Sequence, residues 1–433
     1  MVYFGTDGIR GVVGKDLTTE LAFKCGLALT KIKENPKILI CKDTRPSNDL
    51  ILFSLVSGAI SNGGIVDDIG IAPTSVVSCL VSKLGYDYGV VISASHNPKE
   101  YNGIKIFNEK GEKISESTEQ EIESYILGAS SVANFSLGRY RFKENLQKKY
   151  VDHIISNVDV RLNGLKVVLD LANGASFCLA PKIFSKLGAE VVAINNCKNG
   201  EINENCGSLH LDGLKKIVLA ENANLGLAFD GDADRVLCVD ENGNVLDGDA
   251  IVYILTNSFK KQNLLKNNIV VGTTQTNLKI EKKLKQKGIN FVRCDVGDKF
   301  VIETLNKLGG VLGGEQSGHI IIKNILPTGD GILAGIKIME VMKKENKTLK
   351  ELFNVTLMPQ LATNLEVKDK LRIKNSEELN NLVNKLKQNF DGRIIVRMSG
   401  TENKIRILVE GESKLQLKYI TSEIVKLINK INI

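Results

Sequence analysis

The chain has 433 residues, 43% apolar and 25% charged, with 39 glycines, 7 prolines and a formal net charge of +7. That is about three times a usual domain length, so three or four domains are expected, and the composition is that of a globular protein. No run approaches the ~18 uninterrupted apolar residues of a membrane span; the 5% of aromatic residues and the even mixing of Lys with Glu do not suit a nucleic-acid surface, and an anionic small molecule fits the basic excess better.

The chain begins MVYFGTDGIRG, with Asp7 and Arg10 where a signal peptide carries its apolar region, so a cytoplasmic location is expected. Short β-branched runs then come in sets of three. The first set is KILICKD (37–43), GGIVDDIG (63–70) and YGVVISA (88–94). The second is KVVLDLANG (166–174), GAEVVAIN (188–195) and LGLAFDGD (225–232). The third is NIVVGTT (268–274), GINFVRCD (288–295) and GGVLGGEQ (309–316). Helical spacing separates the first two strands of a set, as in Leu52, Leu55, Val56 and Ala59 or Leu278, Ile280 and Leu284. Nearly all-apolar strands of this kind read as parallel strands covered on both faces, so each set is predicted to be a βαβαβ-like unit.

In every set the third strand runs into the most polar stretch of its unit: Ser95-His96-Asn97-Pro98, then Asp230 to Arg235, then Glu315 to His319. Ligands of open α/β sheets sit outside the carboxyl ends of strands, so these loops are expected to converge on one cleft. The last seventy-odd residues differ. SEELNNLVNKLKQNF has helical spacing at Leu379, Leu382, Val383 and Leu386. GRIIVRMSGTENKIRILVEG reads as two strands around a polar loop, and Ile424, Leu427, Ile428 and Ile431 mark a closing helix, giving a small α+β domain.

Asp230, Asp232 and Asp234 place three carboxylates in five residues, which repel one another unless a cation sits among them. An EF-hand is excluded, because Arg235 stands where its loop needs Gly and the flanks are strands; Mg²⁺ suits the set better. The eight cysteines (25, 41, 79, 178, 197, 206, 238, 294) lack paired spacing and read as reduced thiols, and the four histidines (96, 153, 210, 319) are too dispersed for zinc. RMSGTENKIR offers donors that match phosphate oxygens, though an ordinary surface hairpin fits as well. GGEQSGH suits sugar hydroxyls or a plain turn. Ser95 and His96 are adjacent, and neighbours in an extended chain point apart, so a hydrolase pair is rejected. A phosphoserine facing the acidic loop would instead supply a metal ligand.

Together FGTDGIRG, ISASHNP with NGIK, DGDADR, GDK, GGEQSGH and RMSGTENKIR, in this order, resemble the α-D-phosphohexomutase superfamily over essentially the whole chain. The resemblance implies a heart-shaped protein of four domains, 1–150, 151–250, 251–357 and 358–433: three tandem α/β sheet domains with helices on both faces and a smaller α+β domain. It implies a phosphorylated Ser95, one Mg²⁺ held by Asp230, Asp232, Asp234 and a phosphate oxygen on Ser95, and Arg10, His96 and Lys105 around the transferring phosphoryl group. Lys105 is the candidate for proton transfer. Glu315 and Ser317 fall to the sugar hydroxyls, with His319, Lys299 and Arg235 beside the substrate; Arg397, Ser399, Gly400, Thr401 and Arg406 fall to the non-reacting phosphate.

The implied reaction converts glucosamine 6-phosphate to glucosamine 1-phosphate through a bound glucosamine 1,6-bisphosphate, feeding UDP-N-acetylglucosamine and cell-wall precursors. Gln316, where phosphomannomutase and phosphoglucomutase relatives commonly have Met, tilts the substrate toward the amino sugar; those mutases are the nearest alternative. Lys299 in place of Arg, Tyr101 in place of Asp, and Met398 and Asn403 in place of prolines depart from the pattern without removing a donor or metal ligand. A non-catalytic phosphosugar-binding relative and a metal-dependent phosphatase are the alternatives of other classes. Monomer and homodimer both remain open, with no nucleic acid or membrane as partner.

Overall fold

The computed structural model describes residues 2–5, 7–128, 136–197, 201–398 and 403–432. The chain gathers into two compact units, Met1–Thr274 with Val292–Asn354, and Gln275–Phe291 with Val355–Ile433.

The larger unit is built on the threefold repeat. In its first sheet the strands Ile65–Ile71, Lys37–Lys42, Tyr88–Ile92 and Tyr101–Phe107 are successive neighbours. The second sheet has Glu190–Ile194, Lys166–Asp170, Leu225–Phe229 and Val236–Asp240 in the same relation, and the third has Asn290–Cys294, Ile269–Thr273, Leu312–Gly314 and Ile320–Ile322. Each repeat thus runs second, first, third, then a fourth strand that the expectation of a βαβαβ-like unit does not contain. The fourth strand is antiparallel to the third in every case. The reason is length: a parallel return needs a crossover of about a dozen residues or more, and the segments 93–100, 230–235 and 315–319 are long enough only for hairpins. The three polar loops are therefore hairpin loops, held at both ends by strands.

Local chemistry explains the elements that carry the first loop. The helix Asn48–Ile60 buries Leu52, Leu55, Val56 and Ala59, the predicted stripe, each large side chain worth about 1.5–3 kcal/mol when fully buried. Tyr88–Ile92 is buried along its whole length, as a central strand covered on both faces must be. The helix Thr74–Leu84 stops at Gly85, whose φ of 68° is the left-handed conformation that ends helices cheaply only with glycine. Two further strands, Phe4–Gly5 and Gly8–Val12, continue the first sheet beyond Tyr101–Phe107, with Arg10 opposite Gly103. Side chains alternate along a strand, so Arg10 and Lys105 emerge on one face.

The smaller unit is a three-stranded antiparallel sheet in the order Gln360–Glu366, Lys404–Gly411, Gly392–Met398. Ile394, Ile405, Ile407 and Val409 pack under Leu379 and Val383 of the helix Glu377–Gln388 and under Leu417, Ile420, Ile424 and Ile428 of Lys414–Ile431. Of the predicted stripes, Leu379, Val383, Ile424 and Ile428 are buried here and Leu386, Leu427 and Ile431 pack against them half-buried. The helix Leu278–Gln286 belongs here too, its first amide donating to Glu410 Oε1 at 2.7 Å. Among the described residues no helix is long and apolar enough to cross a membrane.

Candidate active site

Ser95 is fully buried in the first hairpin loop and its backbone is left-handed, with φ of 52°. Such a conformation costs a non-glycine residue of order 1 kcal/mol or more, and something must hold it. It also changes the expected relation to His96. The loop is not extended, so the two side chains do not diverge: Ser95 Oγ lies 3.3 Å from His96 Nδ1. The Ser95 hydroxyl nonetheless donates to Asp230 Oδ2, at 2.6 Å and 135 positions away in sequence. Burial, then the nearby Arg235 and Arg10, push the His96 imidazole down to about 3, so it is a neutral and weak base. A hydrolase pair is excluded on chemistry even though the geometry allows the contact.

Asp230, Asp232 and Asp234 are buried, with one carboxylate oxygen of each lying within 4.8 Å of the others. Gly231 lets this hairpin meet the first one: a Cβ there would stand 2.5 Å from the Ser95 carbonyl oxygen. Lys105, 1% exposed, places its ammonium 2.7 Å from Asp232 and 2.9 Å from Asp234. Thr74 at the head of its helix donates its hydroxyl to Asp232 Oδ2 at 2.5 Å, and its amide to the Asp232 carbonyl at 3.0 Å. Oδ1 of Asp232 and Oδ1 of Asp234 are buried without a hydrogen bond. Burial, then the charges of Asp234 and Asp232, hold the Asp230 carboxyl well above its ordinary value. Converging buried carboxylates with unsatisfied oxygens and one carboxyl forced toward neutrality fit a divalent cation, which would bind those oxygens and restore the charge.

Arg10 pairs with Asp7 and reaches Asn97 Oδ1 at 3.3 Å. Asp7 also takes Lys113, which turns to Asp298 at 2.6 Å, and lies 3.3 Å from Lys105. Arg235 is half-buried, its Nε 3.8 Å from Asp234 and 3.9 Å from Asp230. In the third hairpin Glu315 is buried and accepts the Gly297 amide at 2.9 Å, burial pushing its carboxyl up. Ser317 is exposed. His319 is buried behind the aspartate loop, Nδ1 3.6 Å from Asp234 and Nε2 accepting the Gly329 amide at 3.1 Å. Lys299 pairs with Glu119 at 3.1 Å. In the smaller unit Arg397 stands directly opposite Arg406 across the hairpin, while Ser399, Gly400 and Thr401 lie outside the described residues.

Sequence reasoning named neither Thr74, Lys113 and Asp298 nor Arg45 and Asn203, which bind the Ser95 loop. Asp298 lies inside the quoted GDK and Asp7 inside FGTDGIRG, so both had a signal. Lys113 and Asn203 sit in ordinary polar stretches and Thr74 at the head of an apolar helix, and only the fold brings them in.

Residues 1–132, 148–243, 247–358 and 363–427 match, in turn, domains I, II and III and the C-terminal domain of the phosphoglucomutase/phosphomannomutase family. Phosphoglucosamine mutase of Acetivibrio thermocellus is 45% identical over 99% of this chain and 98% of its own length. That of Carboxydothermus hydrogenoformans is 43% identical over 99% of both. Among solved structures, a phosphoglucomutase/phosphomannomutase family protein from Burkholderia thailandensis shares the fold with a TM-score of 0.83 at 22% identity, over 98% of this chain and 97% of that one. N-acetylphosphoglucosamine mutase of Aspergillus fumigatus, in complex with GlcNAc-6P and magnesium, does so at 0.67 and 15%, over 100% and 96%. The chain is a mutase, an isomerase; it belongs to the α-D-phosphohexomutase superfamily and within it is most like the phosphoglucosamine mutases.

Proposed function

We propose that the chain interconverts glucosamine 6-phosphate and glucosamine 1-phosphate, with Ser95 as the phosphate carrier. The observation that carries this reading is the Ser95 hydroxyl, buried and 2.6 Å from Asp230 in a cluster of three carboxylates. A serine so placed gains little as an alcohol. As a phosphoserine it adds acceptor oxygens to a cation site.

Asp230, Asp232 and Asp234 are the residues that would hold Mg²⁺, together with a phosphate oxygen on Ser95. When bound, the ion neutralises charge on the transferring phosphoryl group. The chain's own residues do the remaining work. Arg10, tied by Asp7 and Asn97, presents a guanidinium to the phosphoryl oxygens. His96, kept neutral, offers a hydrogen bond without a repelling or competing charge. Against its burial, the carboxylates of Asp232 and Asp234 hold Lys105 as an ammonium well above the ordinary lysine range, which suits it to neutralising charge on the transferring group and not to the proton transfer expected of it. In the forward step the Ser95 Oγ–P bond breaks, the P–O bond to the sugar 1-hydroxyl forms, and the hydroxyl proton ends on Ser95 Oγ. The bound glucosamine 1,6-bisphosphate then turns, and its 6-phosphate returns to Ser95 by the reverse of the same step. Glu315 and Ser317 are assigned to the sugar hydroxyls, with Lys299, Arg235 and His319 supporting that side. The C-terminal hairpin is assigned to the phosphate that is not reacting. Arg397 and Arg406 are directly opposite each other in the register of that hairpin, and two guanidiniums on one hairpin suit the oxygens of a phosphate.

Turnover of glucosamine, glucose and mannose 6-phosphates by the purified chain, compared as kcat/KM, tests the substrate. The glucosamine ester should be preferred, and a preference for mannose or glucose would replace it with the sister activity. Ser95→Ala should abolish turnover; near-normal activity would remove the carrier.

A further inference from the structure

The Ser95 carbonyl accepts two hydrogen bonds from side chains far away in sequence, and so does that of Asn97. Arg45 Nη2 reaches Ser95 O at 2.9 Å and Asn97 O at 2.8 Å. Asn203 Nδ2 reaches the same two oxygens at 2.8 and 3.1 Å. Arg45 Nη1 goes on to Tyr101 O at 2.8 Å and to Pro98 O, and its Nε to Asp43 Oδ2 at 3.0 Å. All five N–H groups of one guanidinium are thereby used, three of them on carbonyls of the loop that carries Ser95 and a fourth on Tyr101, where the next strand begins. The Arg45 and Asp43 side chains are wholly buried. Asp43 Oδ2 also accepts the Ser93 hydroxyl at 2.5 Å, and Ser93 Oγ in turn accepts the Ser95 amide at 2.9 Å. Both backbone groups of Ser95 are therefore fixed, directly or through one relay, by the Asp43–Arg45 pair.

We propose that Arg45, seconded by Asn203, is the positioning residue of phosphoryl transfer: it grips the Ser95 loop and holds the left-handed backbone that aims the Ser95 oxygen at the aspartate cluster. The strain of φ 52° at a serine persists only where its surroundings over-determine it, and this clamp does so. Arg45 touches no reacting atom. Its planar fork of five donors cannot be reproduced by the three donors of a lysine ammonium, so the conservative exchange breaks the clamp while keeping the charge that Asp43 needs. Ser93 thereby gains a role as well, as the relay that ties the Ser95 amide to the same pair.

This inference rests on the reading of Ser95 as phosphate carrier, and one set of variants separates the two. The readout is the single-turnover rate constant for transfer from radiolabelled phospho-Ser95 of the full chain to glucosamine 6-phosphate with Mg²⁺, which does not depend on the folded fraction of the sample. Arg45→Lys should lower that constant about ten- to a hundredfold, the size of effect that a displacement near 1 Å produces, with KM changed less than about threefold. Asn203→Ala should lower it by a smaller factor, about three- to tenfold, and the double variant should lose less than the product, since both side chains hold the same two carbonyls. Asn203 is half-buried, so its variant decides the matter should Arg45→Lys not fold. A wild-type rate constant in the folded Arg45→Lys protein, or in Asn203→Ala where that is the one that folds, overturns the clamp while an inactive Ser95→Ala leaves the carrier standing. An active Ser95→Ala overturns the carrier itself.

Discussion

Lys105 offers a measure of how the aspartate cluster is balanced. Its ammonium, 1% exposed, lies 2.7 Å from Asp232, 2.9 Å from Asp234 and 3.3 Å from Asp7. Lys105→Met keeps the length of the side chain and deletes the charge, leaving those carboxylates buried with one cation fewer. Removing one partner of a buried pair costs about 3–5 kcal/mol, because the other charge stays behind unpaired. The full chain should therefore lose about that much stability in urea unfolding without divalent ions. A cation bound by the same carboxylates takes over the missing charge. Added Mg²⁺ should then bind the variant more tightly than the parent: at a hundred times the variant's dissociation constant the variant gains about 2.7 kcal/mol, and the parent gains less at the same concentration. Unfolding midpoints of both proteins, with Mg²⁺ and with EDTA, decide it. A loss below about 1 kcal/mol, or a Mg²⁺ effect no larger in the variant, would refute the claim that Lys105 and a metal ion answer to the same carboxylates.

Arg397→Ala removes one of two guanidiniums that face each other on the C-terminal hairpin and should raise KM about tenfold or more while sparing phosphorylation of Ser95 by the bisphosphate; an unchanged KM counts against the phosphate assignment. For pH, the folded His96 titrates at about 3 and the unfolded one near 6.5, so between these values the unfolded chain binds the extra proton and stability falls as pH falls. His96→Asn should flatten that acid limb relative to the parent, and parallel stability curves from pH 6.5 to 4 would show that His96 is not the desolvated group. The buried carboxyls of Asp230 and Glu315, held up, act in the opposite sense, which is why the difference between variant and parent is the quantity to read.

The repeat was legible because its strands are apolar runs of nearly fixed length, and the three polar loops because each follows the third run of its set. The antiparallel fourth strands were legible only in part: RVLCVD reads as a strand beside the aspartate loop, whereas YNGIKIF lies so close behind its loop that it reads as part of it, and neither run betrays its direction. Asp230, Asp232 and Asp234 announced themselves by mutual repulsion, a property of spacing alone. Thr74, Lys113 and Asn203 could not, because each is an ordinary polar residue whose partner is 158, 185 or about a hundred positions away. The contact between Ser95 and His96 was misjudged for a related reason: an extended backbone was assumed at a residue whose φ is set by Arg45 and Asn203 from outside the loop.

Gln316 marks the limit of reading substrate choice from one position. Its amide donates to Asp247 Oδ2 at 3.1 Å, and Asp247 is the N-cap of the helix Gly248–Lys261, accepting the Ala250 amide at 3.2 Å. The Gly248 amide meanwhile donates to the Gln316 carbonyl at 3.0 Å. Gln316 is therefore bound by side chain and backbone to the start of that helix, and its effect on the sugar passes through the shape of the loop that bears Glu315 and Ser317. Methionine in its place removes the amide donor and leaves Asp247 short of one partner, a loss of about 0.5–1.5 kcal/mol in a typical hydrogen bond. Gln316→Met should shift the ratio of kcat/KM for glucosamine over glucose 6-phosphate by about two- to tenfold, toward glucose. Asp247→Asn, which keeps the cap but weakens the pull on the amide, should move the ratio the same way by less. If Gln316→Met leaves the ratio where it was, the residue is a mark of ancestry rather than of specificity, and the preference must be sought in Glu315, Ser317 and the segment at Lys299.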